Sequence, residues 1–577
     1  MKEIKKNLNK INSPDFFLGL ILLIVAIRFV SEVPLWFDIA QSDDNGYLLA
    51  GINFFKTINI RDASWSPLYL LWFFSLHKIT PAPAKIYYIS MQLIGVLTPI
   101  FAFLLLRKMR VNLLLAILTA VFFLASYAIW IPEPRVTSFS TLILLFLWWA
   151  TSFFKKRWQR LWGMASASLL FAYSRPEFFL VTIALSVIAI SYLGYSLFKK
   201  SILRTRLPKF ASAKLKVKNR DKNFRDLPRT REEPAPPPFW ERLGGGKTDF
   251  IFLAFSSGIV IFFLIWWGIP FSASRSIYAF GQHYAENAKY CISNEPPSNQ
   301  SWEEILARNF NNPKSMGEAL RANPLNFRRH LACNLKAFPK QLLKVAFSSA
   351  WGSSWLLIRI WIAFIIYRLI VHWAEIKKRF IWLWQKDFLL FGILSLGVLS
   401  IDIILIYPRE HYLTLTTIIV WVLGISLFGN FPATTQKNWR QSIAIALSLL
   451  LLTPSLGALF DFEIPQKPVL KTIETIHALE LNEPLRLFGT NPFQTSRSKV
   501  YFANDYVPIP PKPAEVPFET YIADYQPNII LITKEGWLFR EDATWLAFEA
   551  NPQDFGFKQL PFEAGDEFGI WRIYQRD

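Results

Sequence analysis

The fold is decided by the run FFLGLILLIVAIRFV at residues 16–30 and by the segment SEVPLWFDIAQSDDNGY that follows it at residues 31–47. The first run is apolar except for Arg28, and similar runs of about 15 to 25 residues recur along the chain, each long enough to cross or nearly cross a bilayer. Four lysines precede it within the first ten residues, as in a signal peptide, but no small-residue cleavage site follows. The pattern predicts an uncleaved first transmembrane helix with its N-terminus in the cytoplasm.

The composition of the whole chain indicates the same class of protein. Of its 577 residues, 52% are hydrophobic and 18% are charged, and the mean hydropathy is +0.26. A disordered chain would contain far fewer apolar residues, and an ordinary soluble enzyme would not contain so many long apolar runs. We therefore expect a polytopic α-helical membrane protein with about eleven transmembrane helices.

The charge of the chain is unevenly distributed. Residues 461–577 contain 11 Lys and Arg against 18 Asp and Glu, so this tail carries −7 while the first 460 residues carry +28. In a soluble protein such an excess of positive charge would suggest nucleic-acid binding. In a membrane protein it fits the basic cytoplasmic loops of the positive-inside rule, so we expect no nucleic acid among the partners.

The positive-inside rule also orients the predicted spans. An odd number of spans and a cytoplasmic N-terminus place the tail on the exterior or periplasmic side of a plasma membrane, which in a bacterium is the inner membrane. The predicted spans are 15–30, 85–106, 111–131, 136–154, 161–174, 178–198, 249–269, 343–370, 388–406, 412–428 and 442–460.

The chain divides into two predicted units. Residues 1–460 form the transmembrane unit, with outer loops at 31–84 and 271–340 and a basic, proline-containing cytoplasmic loop at 199–248 that is predicted to be disordered. Residues 461–577 alternate short β-type runs with helical segments. They are predicted to form a small exterior α/β domain.

Asp43 and Asp44 follow the first span and are the first candidates for chemistry. Two adjacent carboxylates repel each other, so one can have a raised pKa, or the pair can attract a metal ion or a hydroxyl donor. The alternative is structural, because an aspartate is a good N-cap for a helix that starts near Asn45. The residue types alone leave both interpretations open.

Further charged and helix-breaking motifs map to the same predicted outer face. Ionisable groups at membrane depth are costly and tend to be functional. Asp402 lies within the span 388–406 near that face. It would either belong to the functional site or form a structural ion pair with Arg28. The motifs are Glu133-Pro134-Arg135, Ser174-Arg175-Pro176-Glu177 and Pro408-Arg409-Glu410-His411.

The order of these motifs resembles the GT-C superfamily of multi-pass glycosyltransferases, which includes the protein O-mannosyltransferase and aminoarabinose-transferase relatives. The resemblance covers most of the chain and extends to the exterior tail. It rests on Asp43-Asp44-x-x-Tyr47, Ser66-Pro67-Leu68-Tyr69-Leu70-Leu71, Glu133-Pro134, Ser174-Arg175-Pro176-Glu177 and Pro408-Arg409-x-x-Tyr412-Leu413. One departure is the insertion of Glu410-His411 where relatives often read Pro-Arg-Tyr.

The resemblance implies transfer of a sugar from a polyprenyl-phosphate carrier to a lipid, glycan or protein acceptor at the outer face of the membrane. Asp44 or Asp43 would be the general base that acts on the acceptor hydroxyl. Glu133 matches a second acidic position, which binds a metal in some members. Four residues would contact the lipid phosphate, since a guanidinium pairs bidentately with phosphate oxygens: Arg135, Arg175, Arg409 and His411.

A lipid-phosphate donor requires no nucleotide cofactor. The six histidines are scattered, and the two cysteines do not have zinc-site spacing. Mg²⁺ or Mn²⁺ is the cofactor that the oxygens of Asp43, Asp44 and Glu133 would suit, although none is required. Two rival functions stay open, namely a transporter or flippase of a lipid-linked saccharide and a non-catalytic scaffold.

Cys291 and Cys333 are the only cysteines and fall in the same predicted outer loop. The exterior compartment is oxidising, so one expectation is a disulfide between them. The other is two free thiols near the membrane surface. A bridge across a loop of this length would stabilise the fold by roughly 4 kcal/mol in the chain-entropy model.

Overall fold

The computed structural model describes most of the chain. Glu133, positions 199–246 of the basic loop and the predicted span 442–460 lie outside the described residues. The described residues are 14–39, 43–57, 66–130, 135–195, 198, 247–270, 273–292, 301–349, 352–353, 355–429, 467–481, 483–490, 501, 507, 509–510, 512–513, 515–532, 541–562, 564–566 and 569–577.

The described residues up to position 429 fold mainly into helices, because a helix satisfies its backbone N–H and C=O groups within one segment. Their bounds are α1 Pro14–Ser31, α2 Asp43–Ile52, α3 Pro67–His77, α4 Pro83–Lys108, α5 Leu113–Leu124, α6 Val136–Thr151, α7 Arg157–Ala172, α8 Phe178–Tyr195, α9 Lys247–Trp267, α10 Ala273–Asn287, α11 Trp302–Phe310, α12 Met316–Ala322, α13 Pro324–Phe347, α14 Trp355–Val371, α15 Trp373–Gln385, α16 Phe388–Leu405 and α17 Glu410–Phe428. Shorter helical turns lie at Val33–Trp36, Phe54–Thr57, Tyr127–Trp130 and Ala288–Ile292.

Five described helices are long and apolar enough to cross a membrane. The protein is therefore a helical protein of membrane type. These five segments are Phe16–Trp36, Pro83–Lys108, Phe178–Tyr195, Phe388–Leu405 and Glu410–Phe428.

The described helices thus supply five full-length spans where the sequence predicted about eleven. Helices α5, α6 and α7 have only 12 to 16 residues. At 1.5 Å per residue they extend about 18 to 24 Å, which is shorter than the hydrocarbon core of about 30 Å. The prediction of one continuous span at 343–370 is wrong, because α13 ends at Phe347 and α14 begins at Trp355, with a two-stranded hairpin between them.

Contacts between helix ends define two ends of the bundle. At one end, which we call the basic end, helices α7 and α16 both begin. There Asp387, just before α16, accepts hydrogen bonds from two arginines at the start of α7, Arg157 Nε at 2.9 Å and Arg160 Nη2 at 3.0 Å. At the opposite end, which we call the site end, Thr414 in the first turns of α17 donates to the carbonyl of Ala128 at 3.2 Å. The site end carries the polar motifs described below.

Helices α10 to α13 form a layer at the site end. Their caps follow the sequence, since Ser301 and Glu304 form a reciprocal capping box at the start of α11. A disulfide joins Cys291, just after α10, to Cys333 in α13, with 6.3 Å between the Cα atoms. The disulfide therefore links the segment that follows α10 covalently to α13 within this layer.

The tail contains a five-stranded mixed sheet with helices on both faces. The strand order is β3-β4-β7-β5, with β6 pairing β7, and only the β3–β4 pair is parallel. The hairpin strands are β1 Ser348–Ser349 and β2 Gly352–Ser353, and the tail elements are α18 Pro468–Ala478, β3 Leu487–Gly489, α19 Phe518–Tyr525, β4 Ile529–Ile532, α20 Ala543–Ala550, β5 Phe557–Gln559, β6 Ala564–Asp566 and β7 Gly569–Arg576.

The two faces of this sheet bury different partners, as the period of two in a strand requires. Leu487, Leu531 and Ile573 join the same hydrophobic core as the apolar helices of the bundle. Phe488 and Ile530 point to the other face, where they pack with α19 and α20. Helix α18 packs on the first of these faces, so the tail and the bundle share one hydrophobic core there.

Candidate functional site

Asp43 and Asp44 both lie in the first turn of α2. Asp43 is exposed, whereas Asp44 is only 1% exposed. The carboxylate oxygens of Asp44 accept hydrogen bonds from the backbone N–H of Arg135 at 3.0 and 2.9 Å, and the Tyr69 hydroxyl donates to Oδ1 at 3.3 Å. Asp44 therefore joins three segments that are far apart in sequence.

The Asp44 carboxylate serves a helix other than its own. Arg135 directly precedes α6, so this carboxylate lies at the N-terminus of α6, where the helix dipole favours negative charge. The structural alternative predicted a cap on a helix starting near Asn45. Helix α2 begins at Asp43, two residues before that predicted start, and the described hydrogen bonds of Asp44 go to Tyr69 of α3 and to the N–H of Arg135 at the start of α6.

Tyr69 is the aromatic neighbour of this carboxylate. Its ring is fully buried, with its centroid 5.4 Å from that of Tyr47 and 5.0 Å from that of Phe139. Burial and the negative charge of Asp44 raise the pKa of the Tyr69 hydroxyl well above its usual value. The phenol therefore keeps its proton and acts as a donor to Asp44.

The buried side chain of Arg135 fixes the same corner. Its Nη1 donates to the carbonyl of Trp130 at 2.7 Å, and its guanidinium lies 5.6 Å from the ring centroid of Phe37. Trp130 packs directly against Gly95 of α4, where a Cβ would lie 2.3 Å from the indole ring. A side chain at position 95 would displace Trp130 and with it the carbonyl that holds Arg135.

A second cluster lies around Arg175, between α7 and α8. The Arg175 Nε donates to Glu177 Oε1 at 2.6 Å, and its Nη2 lies 3.9 Å from Asp402 Oδ2 at the end of α16. The guanidinium also lies 5.6 Å from the ring centroid of Tyr412. The described ion pair of Asp402 is therefore with Arg175, whereas the sequence offered Arg28 as its structural partner.

Arg409 and His411 complete this second cluster. His411 is buried and interacts electrostatically with both Arg175 and Arg409, which itself is exposed. Glu410, between them in sequence, forms an ion pair with Lys344 of α13. The second cluster thus brings together three of the four residues predicted to contact a lipid phosphate.

His283 joins the second cluster from the α10–α13 layer. Its ring stacks on Tyr407, with centroids 5.2 Å apart and planes within 14° of parallel. Burial, together with the charges of Arg409 and His330, lowers the pKa of His283 to about 3. His283 is therefore neutral near pH 7, and its Nδ1 has no hydrogen-bond partner among the described residues.

Two serines connect the Asp44 site to the second cluster. Ser66 Oγ donates to the carbonyl of Ser174 at 3.0 Å, and Ser174 Oγ lies 2.5 Å from Ser140 Oγ of α6. Ser66 directly precedes α3, which carries Tyr69, and Ser174 directly precedes Arg175. Ser66 has φ of 52°, a left-handed conformation that is uncommon for a residue with a Cβ and often occurs near functional sites.

The tail reaches the Asp44 site as well. The Tyr501 hydroxyl donates to Asn45 Oδ1 at 2.7 Å, and Asp38 accepts hydrogen bonds from the backbone N–H groups of Val469 and Leu470 at 2.9 and 3.0 Å. Asn45 is completely buried, and its Nδ2 has no partner within the described part of the chain. The residue next to Asp44 thus presents an unused donor whose orientation is set by the tail.

The predicted site residues fall into three groups. Arg175, Arg409 and His411 come together, and Arg135 lies with Asp44. Asp43 is exposed beside Asp44, and Glu133 lies outside the described residues. Among the described residues no three His, Cys, Asp or Glu side chains are grouped so that they could hold a metal ion. The predicted set Asp43, Asp44 and Glu133 is only partly described, so Mg²⁺ or Mn²⁺ stays a prediction.

Sequence reasoning missed three residues of the site. The sequence indicates Asn45 only as the start of a helix, and its motifs include neither Tyr501 nor His283. No local signal could have identified Tyr501, because it lies in the tail, far from α2 in sequence. His283 lies within the polar, amphipathic α10, and only the fold brings it to Arg409.

The fold and the site define a helical protein of membrane type with two linked polar clusters at one end of an apolar bundle. No family model matches the chain, and no curated protein matches it significantly in sequence. The functional assignment therefore depends on the residues of the site themselves.

Proposed function

We propose that the protein is a GT-C-like glycosyltransferase that moves a sugar from a polyprenyl-phosphate carrier to a hydroxyl acceptor. One observation carries this proposal. A buried carboxylate, Asp44, and a cluster containing Arg175, Arg409 and His411 lie at one end of an apolar bundle and are joined through Ser66 and Ser174. A base for the acceptor and a receptor for the leaving phosphate are the two parts that this reaction needs.

The proposed step is a displacement at the anomeric carbon. The acceptor oxygen forms a bond to that carbon while the bond from the carbon to the phosphate oxygen breaks, and the acceptor proton passes to Asp44. The Tyr69 hydroxyl makes the longest of the described contacts of this carboxylate. An acceptor hydroxyl that replaced Tyr69 there would be within reach of the base, while the N–H of Arg135 keeps the carboxylate in place.

The leaving polyprenyl phosphate takes the bonding electron pair and gains negative charge. Arg175 is already balanced by Glu177 and Asp402, so it positions the cluster and contributes part of its charge. Arg409 is exposed and able to meet a headgroup, and a guanidinium matches phosphate oxygens bidentately. The described residues supply no complete ligand set for a metal, so no step is assigned to one.

The finer topology belongs to the same proposal. We infer eleven spans in a plasma membrane, with a cytoplasmic N-terminus and an exterior α/β tail, in which the shorter apolar helices cross together with adjoining segments. In this arrangement the site end faces the exterior, where lipid-linked sugars meet their acceptors. The basic end faces the cytoplasm, as the positive-inside rule requires.

The proposal predicts that purified protein in liposomes releases polyprenyl phosphate from a polyprenyl-phospho-sugar when acceptor is present. The Asp44→Asn variant keeps a side-chain oxygen for the Arg135 N–H but has no basic oxygen. We expect its turnover to fall by 10²-fold or more, the order typical of a lost general base. Asp43→Asn tests the neighbouring carboxylate, and Asp524→Asn, an exposed aspartate of α19, is the matched control.

Each outcome of this experiment decides between functions. If Asp44→Asn and Asp43→Asn both retain near-wild-type transfer, the mechanism fails. A protein that moves the labelled lipid to the other leaflet without releasing polyprenyl phosphate is a flippase. An unchanged thermal unfolding midpoint of Asp44→Asn shows that a loss of turnover is chemical.

A further inference from the structure

Helix α15 lies across the ends of two apolar helices at the basic end of the bundle. Arg379 of α15 donates from Nε to the carbonyl of Ser426 at 2.9 Å, in the last turn of α17, and from Nη2 to the carbonyl of Met109, just after α4. The last carbonyls of a helix have no partner within the helix, and a cation there also complements the helix dipole. Because both α4 and α17 are long enough to cross a membrane, a helix attached to their ends lies at the membrane surface.

The two sides of α15 differ in composition. Ile376, Arg379 and Leu383 are buried against the bundle. The outward side carries large apolar side chains that are 42% to 60% exposed, at spacings that place them on one face. These are Trp373, Phe380 and Trp384.

Lysines border this exposed apolar face. Lys377 falls within it by helical spacing, and Lys378 is its neighbour in the chain; both are exposed. The one acidic residue of α15 is Glu375. Its Oε2 lies 3.6 Å from Arg368 Nη2 and 3.4 Å from His372 Nδ1, so its charge is largely compensated. Neither lysine has an acidic partner in the described part of the chain. Exposed apolar rings beside such lysines are the composition of a helix that lies in the headgroup region of a bilayer.

We propose that α15 is an interfacial helix that binds anionic lipid headgroups of the leaflet at the basic end. Tryptophan and phenylalanine enter the boundary between headgroups and acyl chains, while the lysines attract negative phosphates. The neighbouring Arg110, whose guanidinium lies 4.9 Å from the ring centroid of Trp382, adds positive charge at the same end. This binding surface is independent of the proposed sugar transfer at the opposite end.

The test uses the full chain in lipid nanodiscs. An Ile381→Cys variant carries an environment-sensitive thiol dye on the exposed side of α15, because the two native cysteines are joined to each other and do not react. Quenching of the dye is measured with brominated phosphatidylglycerol and with brominated phosphatidylcholine at equal mole fraction. We expect both lipids to quench and phosphatidylglycerol to quench more strongly.

Charge variants separate the anionic preference from simple insertion. In the Lys377→Gln, Lys378→Gln double variant the ratio of the two quenching constants should fall toward one, by about fivefold for each lysine removed. Lys336→Gln with Lys340→Gln, two exposed lysines of α13, is the matched control and should leave the ratio unchanged. Raising the salt from 0.1 to 1 M should lower the ratio in the otherwise unchanged protein, because the Debye length falls from about 10 to about 3 Å.

Three results would overturn the proposal. No quenching by either lipid would show that α15 is not at the bilayer. Equal quenching by both lipids before any lysine is replaced would show an interfacial helix without anionic preference. If the preference for phosphatidylglycerol survives the loss of both lysines, another surface of the protein causes that preference.

Discussion

Asp38 and Asp44 have the same physical role in two places, since each places a carboxylate at the start of a helix from another part of the chain. Asp38 accepts N–H groups from the first turn of α18, and Asp44 accepts the N–H that precedes α6. Helix N-termini present unpaired N–H groups and a positive dipole end, so a remote carboxylate can replace a local cap. These two residues therefore fix the tail and the site relative to α1 and α2.

We predict that Tyr501→Phe weakens the attachment of the tail to the site. The change removes the donor to Asn45 Oδ1 and leaves that buried oxygen without its described partner. An unsatisfied buried polar atom costs about 1 to 3 kcal/mol. The free energy of unfolding in detergent measures the loss, with Tyr525→Phe, whose ring is 39% exposed, as control. Equal stability of the two variants would contradict the prediction.

Helices of the bundle are joined at their ends by charged groups as well as by apolar packing along their lengths. Asp387 is completely buried between α15 and α16 and binds Arg157 and Arg160 at the start of α7. Its φ of 62° is left-handed, so the backbone turns sharply there. At the other end of α7, Ser174 meets Ser66 and Ser140. Both ends of one short helix are thus held by polar contacts.

We predict that Asp387→Asn strongly destabilises the bundle. The change leaves Arg160, which is 7% exposed, without its buried counter-charge. Removing one partner of a buried ion pair costs about 3 to 5 kcal/mol. The midpoint temperature of thermal unfolding in detergent should fall clearly for Asp387→Asn and should not change for the exposed Asp524→Asn. A fall of similar size in both variants would show that the ion pair is not the cause.

We also predict that acid destabilises the α10–α13 layer. Burial is the main cause that lowers the pKa of His283 to about 3 and of His330 to about 4. Both values lie below the unfolded value near 6.5, so the unfolded chain binds more protons between these limits. The stability that the two neutral histidines contribute is therefore fully present above about pH 6.5. It is lost as the pH falls toward their folded pKa values of about 4 and about 3.

Thermal unfolding followed from pH 7 to pH 4 measures this dependence. Replacing His283 by Gln removes one of the two groups, so the slope of stability against pH should decrease in that variant. An unchanged slope would assign the acid sensitivity to other groups.

At the scale of the whole molecule, polar chemistry and basic charge are separated to opposite ends of the bundle. The site end carries Asp44, Arg175 and the disulfide-linked layer, whereas the basic end carries Arg157, Arg160 and Arg379. An apolar bundle with two different ends fits a protein that works on one face of a membrane. The tail packs on the bundle beside Asp44, so it belongs to the site end.

The proposed topology predicts on which side of the membrane the basic loop and the tail lie. Single cysteines introduced at Ser212 in the basic loop and at Ser496 in the tail should react with an impermeant thiol reagent from opposite sides of intact cells. The basic loop should react only after permeabilisation and the tail before it. Reaction of both positions from the same side would show that the number of spans between them differs by one from the proposed topology.

The sequence by itself determined the class of protein and the residue types of the site. Apolar runs specify helices because backbone polar groups in hydrocarbon must be satisfied within the segment. Short apolar runs in the tail indicate strands. The sequence also identified Asp44, Arg135, Arg175, Arg409 and His411 as candidates, because charged groups beside apolar runs are costly.

Only the tertiary structure decided which of these residues meet. Contacts between Asp44 and Arg135, between Arg175 and Asp402, and between Tyr501 and Asn45 join segments that are far apart in the chain. Local pattern contains no information about such pairs, because they depend on how whole helices pack. The break of the predicted span 343–370 has the same origin. Hydropathy counts apolar residues but does not register where packing ends one helix and begins the next.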